Sequence, residues 1–215
     1  MSIFMNRSIT AFFLVGICTW IYTLPAVYSS LFIAALLLII LSTEWPRLAQ
    51  NKIGFWLLTP MYPVLPFIIL IALNQDLYYR PLLGLAILLA AAHDTGSYII
   101  GKLFGRHTIA PAISPGKTWE GFFGGLIITM VVFMGIISYR HISMNCSVFV
   151  ILTTIICIIA FLGDLFESWL KRKAGVKDSG SILPGHGGLL DRVDSILFVA
   201  TFMYLFRESL AKLLA

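Results

Sequence analysis

Charge is what this sequence is short of. Only 12% of its 215 residues are charged, about half of the roughly 25% found in an ordinary soluble domain, which argues against a cytosolic globular fold. Cysteine is scarce as well: Cys18, Cys146 and Cys157 show no CxxC spacing and no nearby histidine, so neither a disulfide framework nor a zinc site is expected. Period-two alternation is missing, since 31–41 and 148–162 are apolar on every side, and barrel strands need that alternation. The first apolar run is longer than a signal-peptide core and lacks a clear small-x-small site, so it reads as a first span. A phosphate loop of the P-loop type is also absent. Gly116-Lys117-Thr118 has Pro111 where that pattern needs a glycine, and no strand is expected before it. No internal repeat or low-complexity segment stands out.

What is present is hydrocarbon: 59% of the residues are hydrophobic. Several runs reach the roughly 20 residues needed to cross a bilayer core. The fold class expected is all-α, a polytopic transmembrane helical bundle of about seven spans. Ser8 to Thr43 is too long for one span and should turn near Pro25 and Tyr28-Ser29-Ser30. Gly54 to Leu73 should be kinked by Pro60, Pro63 and Pro66, because proline removes backbone donors. Pro81 to about Leu103 follows, and Phe104 to Glu120 reads as a loop. Gly121 to Tyr139 comes next, with Gly121, Gly124 and Gly125 allowing close helix packing. A sixth span opens at Ser147 and a seventh near Val193. Two regions result: amino-terminal transmembrane helices over 1–80, and a catalytic transmembrane region over 81–215.

The second region carries the polar stretch 163–195, which holds five of the ten acids: Asp164, Glu167, Asp178, Asp191 and Asp194. Lys171, Arg172, Lys173, Lys177, His186 and Arg192 share it. With seven spans, eleven Lys and Arg residues fall on the side of this stretch and four on the other. The positive-inside rule then places it in the cytoplasm.

Asp164, Ser168 and Lys171 recur at i, i+4 and i+7, on one helix face, with Glu167 at its edge. A carboxylate, a hydroxyl and an ammonium in one stripe can hold a metal ion and a phosphate together; an ion pair at a helix end explains the same spacing. Gly175 is a natural end for that helix. Pro184-Gly185-His186-Gly187-Gly188 lets the backbone approach a ligand closely. Asp191 and Asp194 follow at i and i+3 on the first turn of the last helix, where acids also serve as caps. Within the fourth span, Asp94 should face the bundle interior, as a helix-bridging carboxylate or as part of a site. Lys117 can reach a phosphate or snorkel at the interface.

Taken together, Ser168-Trp169-Leu170-Lys171-Arg172, Lys177-Asp178, Pro184 to Gly188 and Asp191-Arg192-Val193-Asp194 closely resemble the signature of the phosphatidate cytidylyltransferases, or CDP-diacylglycerol synthases. The likeness extends to Gly163 to Glu167, Ser114 to Gly121, and Asp94-Thr95-Gly96 with Tyr98 and Gly101, roughly the second half of the chain. Members are commonly longer at the amino terminus, and many have a basic residue where Gly116 stands. The resemblance implies transfer of a cytidylyl group from CTP to phosphatidate with release of pyrophosphate, using Mg2+ and allowing a second cation such as K+. By motif match, Asp164, Asp191 and Asp194 would hold metal, with Lys171 completing the catalytic set. Ser168, Arg172, Lys117, His186 and Arg192 would bind substrate. The expected setting is the bacterial inner membrane, with the active site cytoplasmic, lipid as surroundings, no nucleic acid, and a homodimer allowed. Two readings compete: a CTP-dependent lipid kinase, and a transporter with Asp94 and Asp164 on an ion path.

Overall fold

The computed structural model describes residues 20–50, 52–182 and 187–214. The amino-terminal span expected before Pro25 lies almost wholly outside them, as do Pro184, Gly185 and His186. Two compact units are formed: 1–80 with 170–193, and 81–169 with 194–215.

In the first unit, α1 (Ala26–Ala49) and α2 (Ile53–Gln75) are both long and apolar enough to cross a membrane. Pro25 stands at the amino-terminal cap of α1, a position where the missing N–H costs no helical bond. The two helices are tied by side-chain amides, of which Asn74 is buried. Asn74 Nδ2 donates to Ala26 O at 2.7 Å and Ser30 Oγ at 2.8 Å, and Gln75 Nε2 to Ser30 Oγ at 2.8 Å. The expected kink in α2 is present: Tyr62, between Pro60 and Pro63, has φ −154° and ψ 122°, outside helical values. Trp45 fills the space beside it, fully buried, with Nε1 donating to Thr59 Oγ1 at 2.8 Å.

The second unit is built on α3 (Arg80–Phe104), α4 (Trp119–Tyr139) and most of α5 (Cys146–Ala174), three further helices able to span a membrane. Glycine lets α3 and α4 touch along their backbones. A Cβ on Gly96 would lie 2.9 Å from Gly125 Cα, and one on Gly121 2.8 Å from Ser97 O; closeness of this kind needs small residues. Thr118 caps α4, its Oγ1 accepting from Gly121 N at 3.1 Å. At 29 residues, α5 is about 43 Å long, more than the roughly 30 Å hydrocarbon core. Its last turn carries Lys171, Arg172 and Lys173, cations suited to the negative end of the helix dipole. It stops before Gly175, whose φ of +78° is left-handed and favours glycine.

Two expectations change. The segment 104–120 is more than a loop: β1 (Thr108–Ala110) and β2 (Ser114–Thr118) pair antiparallel, Thr108 with Thr118 and Ala110 with Ser114, so the fold is nearly rather than entirely α-helical. The stretch after Val193 divides into α6 (Asp194–Leu205) and α7 (Arg207–Leu213). With 12 residues, α6 is about 18 Å long, too short to cross a bilayer alone. Among the described residues, five helices are long and apolar enough to span.

Candidate active site

Each unit gathers part of the polar machinery. In the second, Gly163 allows α5 and α6 to meet: a Cβ there would lie 2.9 Å from Asp194 O and 3.1 Å from Phe198. Asp164 of α5 and Asp194 of α6 thereby share a neighbourhood. Asp194 is buried, within electrostatic reach of Glu167, Asp164 and Asp94. Glu167, expected at the edge of the functional face, is fully buried. Ser195 Oγ donates to Asp94 Oδ2, so Asp94 faces the interior of its unit as expected. His93 is buried beside it, with Nδ1 3.6 Å from Asp94 Oδ1.

Against these four carboxylates, Lys117 Nζ lies 3.0 Å from Asp164 Oδ1 and 5.2 Å from the centroid of the Phe161 ring. Its side chain is only 13% exposed, so it points into the protein and the snorkelling alternative fails. It is β2 that carries it there: Gly116-Lys117-Thr118 is part of a strand, not a phosphate loop. A cavity of about 250 Å³ opens between His93, Asp94, Ser97, Lys117, Phe122 and Asp164. Asp164 is 38% and Asp94 40% exposed, so both carboxylates are reachable. The stripe along α5 is loose, Ser168 Oγ standing 3.5 Å from Asp164 Oδ1.

In the first unit the signature-like loop folds around Asp191. Oδ1 accepts from Lys171 Nζ at 2.6 Å; Oδ2 accepts from Ser179 N at 3.1 Å, Ser179 Oγ at 3.0 Å and Gly188 N at 2.8 Å. The side chains of this ion pair are 13% and 7% exposed. Gly187, at φ +79°, and Gly188 bring the backbone close to a carboxylate, as their sequence suggests, but the carboxylate is the chain's own: a Cβ on Gly187 would lie 2.8 Å from Asp191 Oδ2. Asp191 does not share the first turn of the last helix with Asp194. It sits in a separate 3-10 turn, Leu190–Arg192, and Val193, at φ −121° and ψ −5°, is not helical, so the turn does not run on into α6.

Sequence reasoning missed Glu44. Fully buried at the end of a π-helical turn in α1, it accepts from Leu189 N at 2.6 Å through Oε1, and from Leu190 N at 2.9 Å and Ser179 Oγ at 3.1 Å through Oε2. The available signal was its isolation, as the only acid before Asp76. Arg172 and Arg192 are exposed, and Arg172 Nη1 contacts Val176 O at 3.4 Å. His186 lies outside the described residues.

The donor set suits a hard divalent cation. In the second unit Asp94, Asp164, Glu167 and Asp194 offer oxygen, the donor that hard divalent cations take, with Lys117 against Asp164 and the His93 imidazole beside Asp94. As they stand, no three His, Cys, Asp or Glu side chains among the described residues converge as ligands. Asp164 and Asp191 belong to different units.

A phosphatidate cytidylyltransferase of Staphylococcus haemolyticus is 43% identical over 154 residues, 71% of this chain and 58% of that protein. Those of Staphylococcus aureus and Staphylococcus epidermidis are 48% identical over 114 residues, 53% of this chain and 44% of theirs. The chain thus spans about half the length of the curated relatives it matches. The model of the Cytidylyltransferase family matches residues 4–210, nearly the whole chain, and the chain belongs to that family.

Proposed function

We propose that this protein transfers a cytidylyl group from CTP to phosphatidate, giving CDP-diacylglycerol and pyrophosphate. The observation that carries the reading is the family match over residues 4–210, which includes both the Lys117–Asp164 pair at the cavity and the Lys171–Asp191 pair in the loop. A phosphate oxygen of the lipid attacks the α-phosphorus of CTP. The new P–O bond forms as the α–β bridging bond breaks, and pyrophosphate leaves with that electron pair. The lipid phosphate is already anionic near neutral pH, so no strong base is required; orientation and charge neutralisation are.

Lys117, paired with Asp164 at the cavity, would meet a phosphate, and Lys171, paired with Asp191, the nucleotide phosphates. Asp164 and Asp194 are the residues we assign to Mg2+, which when bound would neutralise phosphate charge. Asp191 joined them in the sequence expectation; the bonds it accepts from Lys171, Ser179 and Gly188 also make it the organiser of its loop. The side bearing 170–193 is taken as cytoplasmic, on the eleven-to-four distribution of basic residues, and the membrane as the bacterial inner membrane. Seven spans would follow if the segment before Pro25 and the stretch from Asp194 onward each cross. Purified protein mixed with CTP and phosphatidate, with and without Mg2+, tests the reading. Magnesium-dependent CDP-diacylglycerol is expected, and its absence in all conditions contradicts it.

A further inference from the structure

We infer that Glu44 is a positioning residue that sets the Asp191–Lys171 pair; for the reaction itself this rests on the function proposed above. Glu44 lies 135 residues before Ser179, yet its carboxylate takes up the two backbone donors that open the Leu190–Arg192 turn, Leu189 N and Leu190 N. Each carboxylate oxygen receives one of them, so both oxygens are oriented and the turn cannot rotate without losing a charge-assisted bond. Such bonds are about twice as strong as neutral ones.

Ser179 couples this anchor to the next carboxylate. Its Oγ lies 3.1 Å from Glu44 Oε2 and 3.0 Å from Asp191 Oδ2, so its single hydroxyl proton is shared between the two acids, and its backbone N also donates to Asp191 Oδ2. One residue therefore spans both acids, and the orientation of Asp191 depends on where Glu44 holds Ser179 and the turn. The packing leaves no slack. A Cβ on Gly180 would lie 2.8 Å from Glu44 Oε1, and one on Gly188 2.7 Å from the same oxygen. Glu44 is fully buried. Its effect is exerted through Asp191, which fixes the ammonium at 2.6 Å.

The test compares wild type with Glu44→Gln and Ser179→Ala in the full chain in detergent. Glutamine keeps the size and one acceptor but turns an NH2 toward either Leu189 N or Leu190 N with Ser179. Amide hydrogen exchange should be at least about tenfold faster over 187–192 in Glu44→Gln, with exchange in α3 and α4 unchanged. Turnover should fall about tenfold or more at saturating substrate while KM for CTP changes less than about threefold, because the ammonium is misplaced rather than removed. Ser179→Ala should give a smaller fall of the same kind, and serves if Glu44→Gln does not fold. A wild type that makes no CDP-diacylglycerol defeats the proposed function, and the exchange comparison then still decides whether Glu44 holds the turn. Unchanged exchange over 187–192, or full turnover per folded molecule in both variants, overturns the inference.

Discussion

Two carboxylates that look alike in sequence sit in different surroundings. Asp164 is 38% exposed at a cavity with Lys117 against it; Asp191 is nearly enclosed and accepts from Lys171, Ser179 and Gly188. Replacing Asp164 with Asn leaves an amide oxygen for Lys117 and removes one negative charge. Turnover should drop about 100-fold or more, the scale seen when a charge-stabilising group is lost, with unfolding free energy changed by less than about 1 kcal/mol. Asp191→Asn instead turns an NH2 toward Lys171 or toward the three other donors. Breaking a largely buried pair this way should cost about 3 kcal/mol, measured as a lowered unfolding midpoint in detergent. Equal stability of the two variants would contradict the division of roles. Lys171→Ala, which removes the ammonium altogether, should both lower turnover and raise KM for CTP without changing the Mg2+ concentration at half-maximal activity.

The helices were legible because apolar length and proline placement act locally. Pro25 before α1, the Tyr62 kink among three prolines, and Gly175 after α5 each follow from the residue at that position. The close approach of α3 and α4 was legible too, from Gly121, Gly124 and Gly125. Adding a methyl tests it: at Gly125 a Cβ would lie 2.7 Å from His93 O, so Gly125→Ala should destabilise by about 1–3 kcal/mol, against a near-neutral Gly135→Ala, where nothing lies within 4 Å. The hairpin escaped notice because strands of three and five residues are too short to show a period. Glu44 escaped because its partners lie more than 130 residues away, where no spacing rule reaches. The glycine-rich loop was expected to bring its backbone close to a ligand; its described glycines, Gly187 and Gly188, lie against Asp191, Ser179 and Glu44, groups of the chain that spacing alone does not name.

At the level of the molecule, each unit gathers its own sparse cluster of charges among apolar helices, Asp94, Lys117, Asp164 and Asp194 in one and Glu44, Lys171 and Asp191 in the other, and the chain belongs to the Cytidylyltransferase family. Sidedness is tested with a cysteine at an exposed position of the loop. Lys177→Cys should react with a membrane-impermeant thiol reagent in inverted vesicles but not in intact cells; labelling only in intact cells would reverse the proposed orientation. Ser179 is unsuitable because it is buried. The most direct measurement follows the label: CTP carrying one isotope at the α-phosphorus and another at the γ-phosphorus is incubated with phosphatidate and the purified protein. The α label is predicted in the lipid fraction together with cytidine, and the γ label in pyrophosphate; γ label in lipid without cytidine would show a kinase and contradict the proposed function.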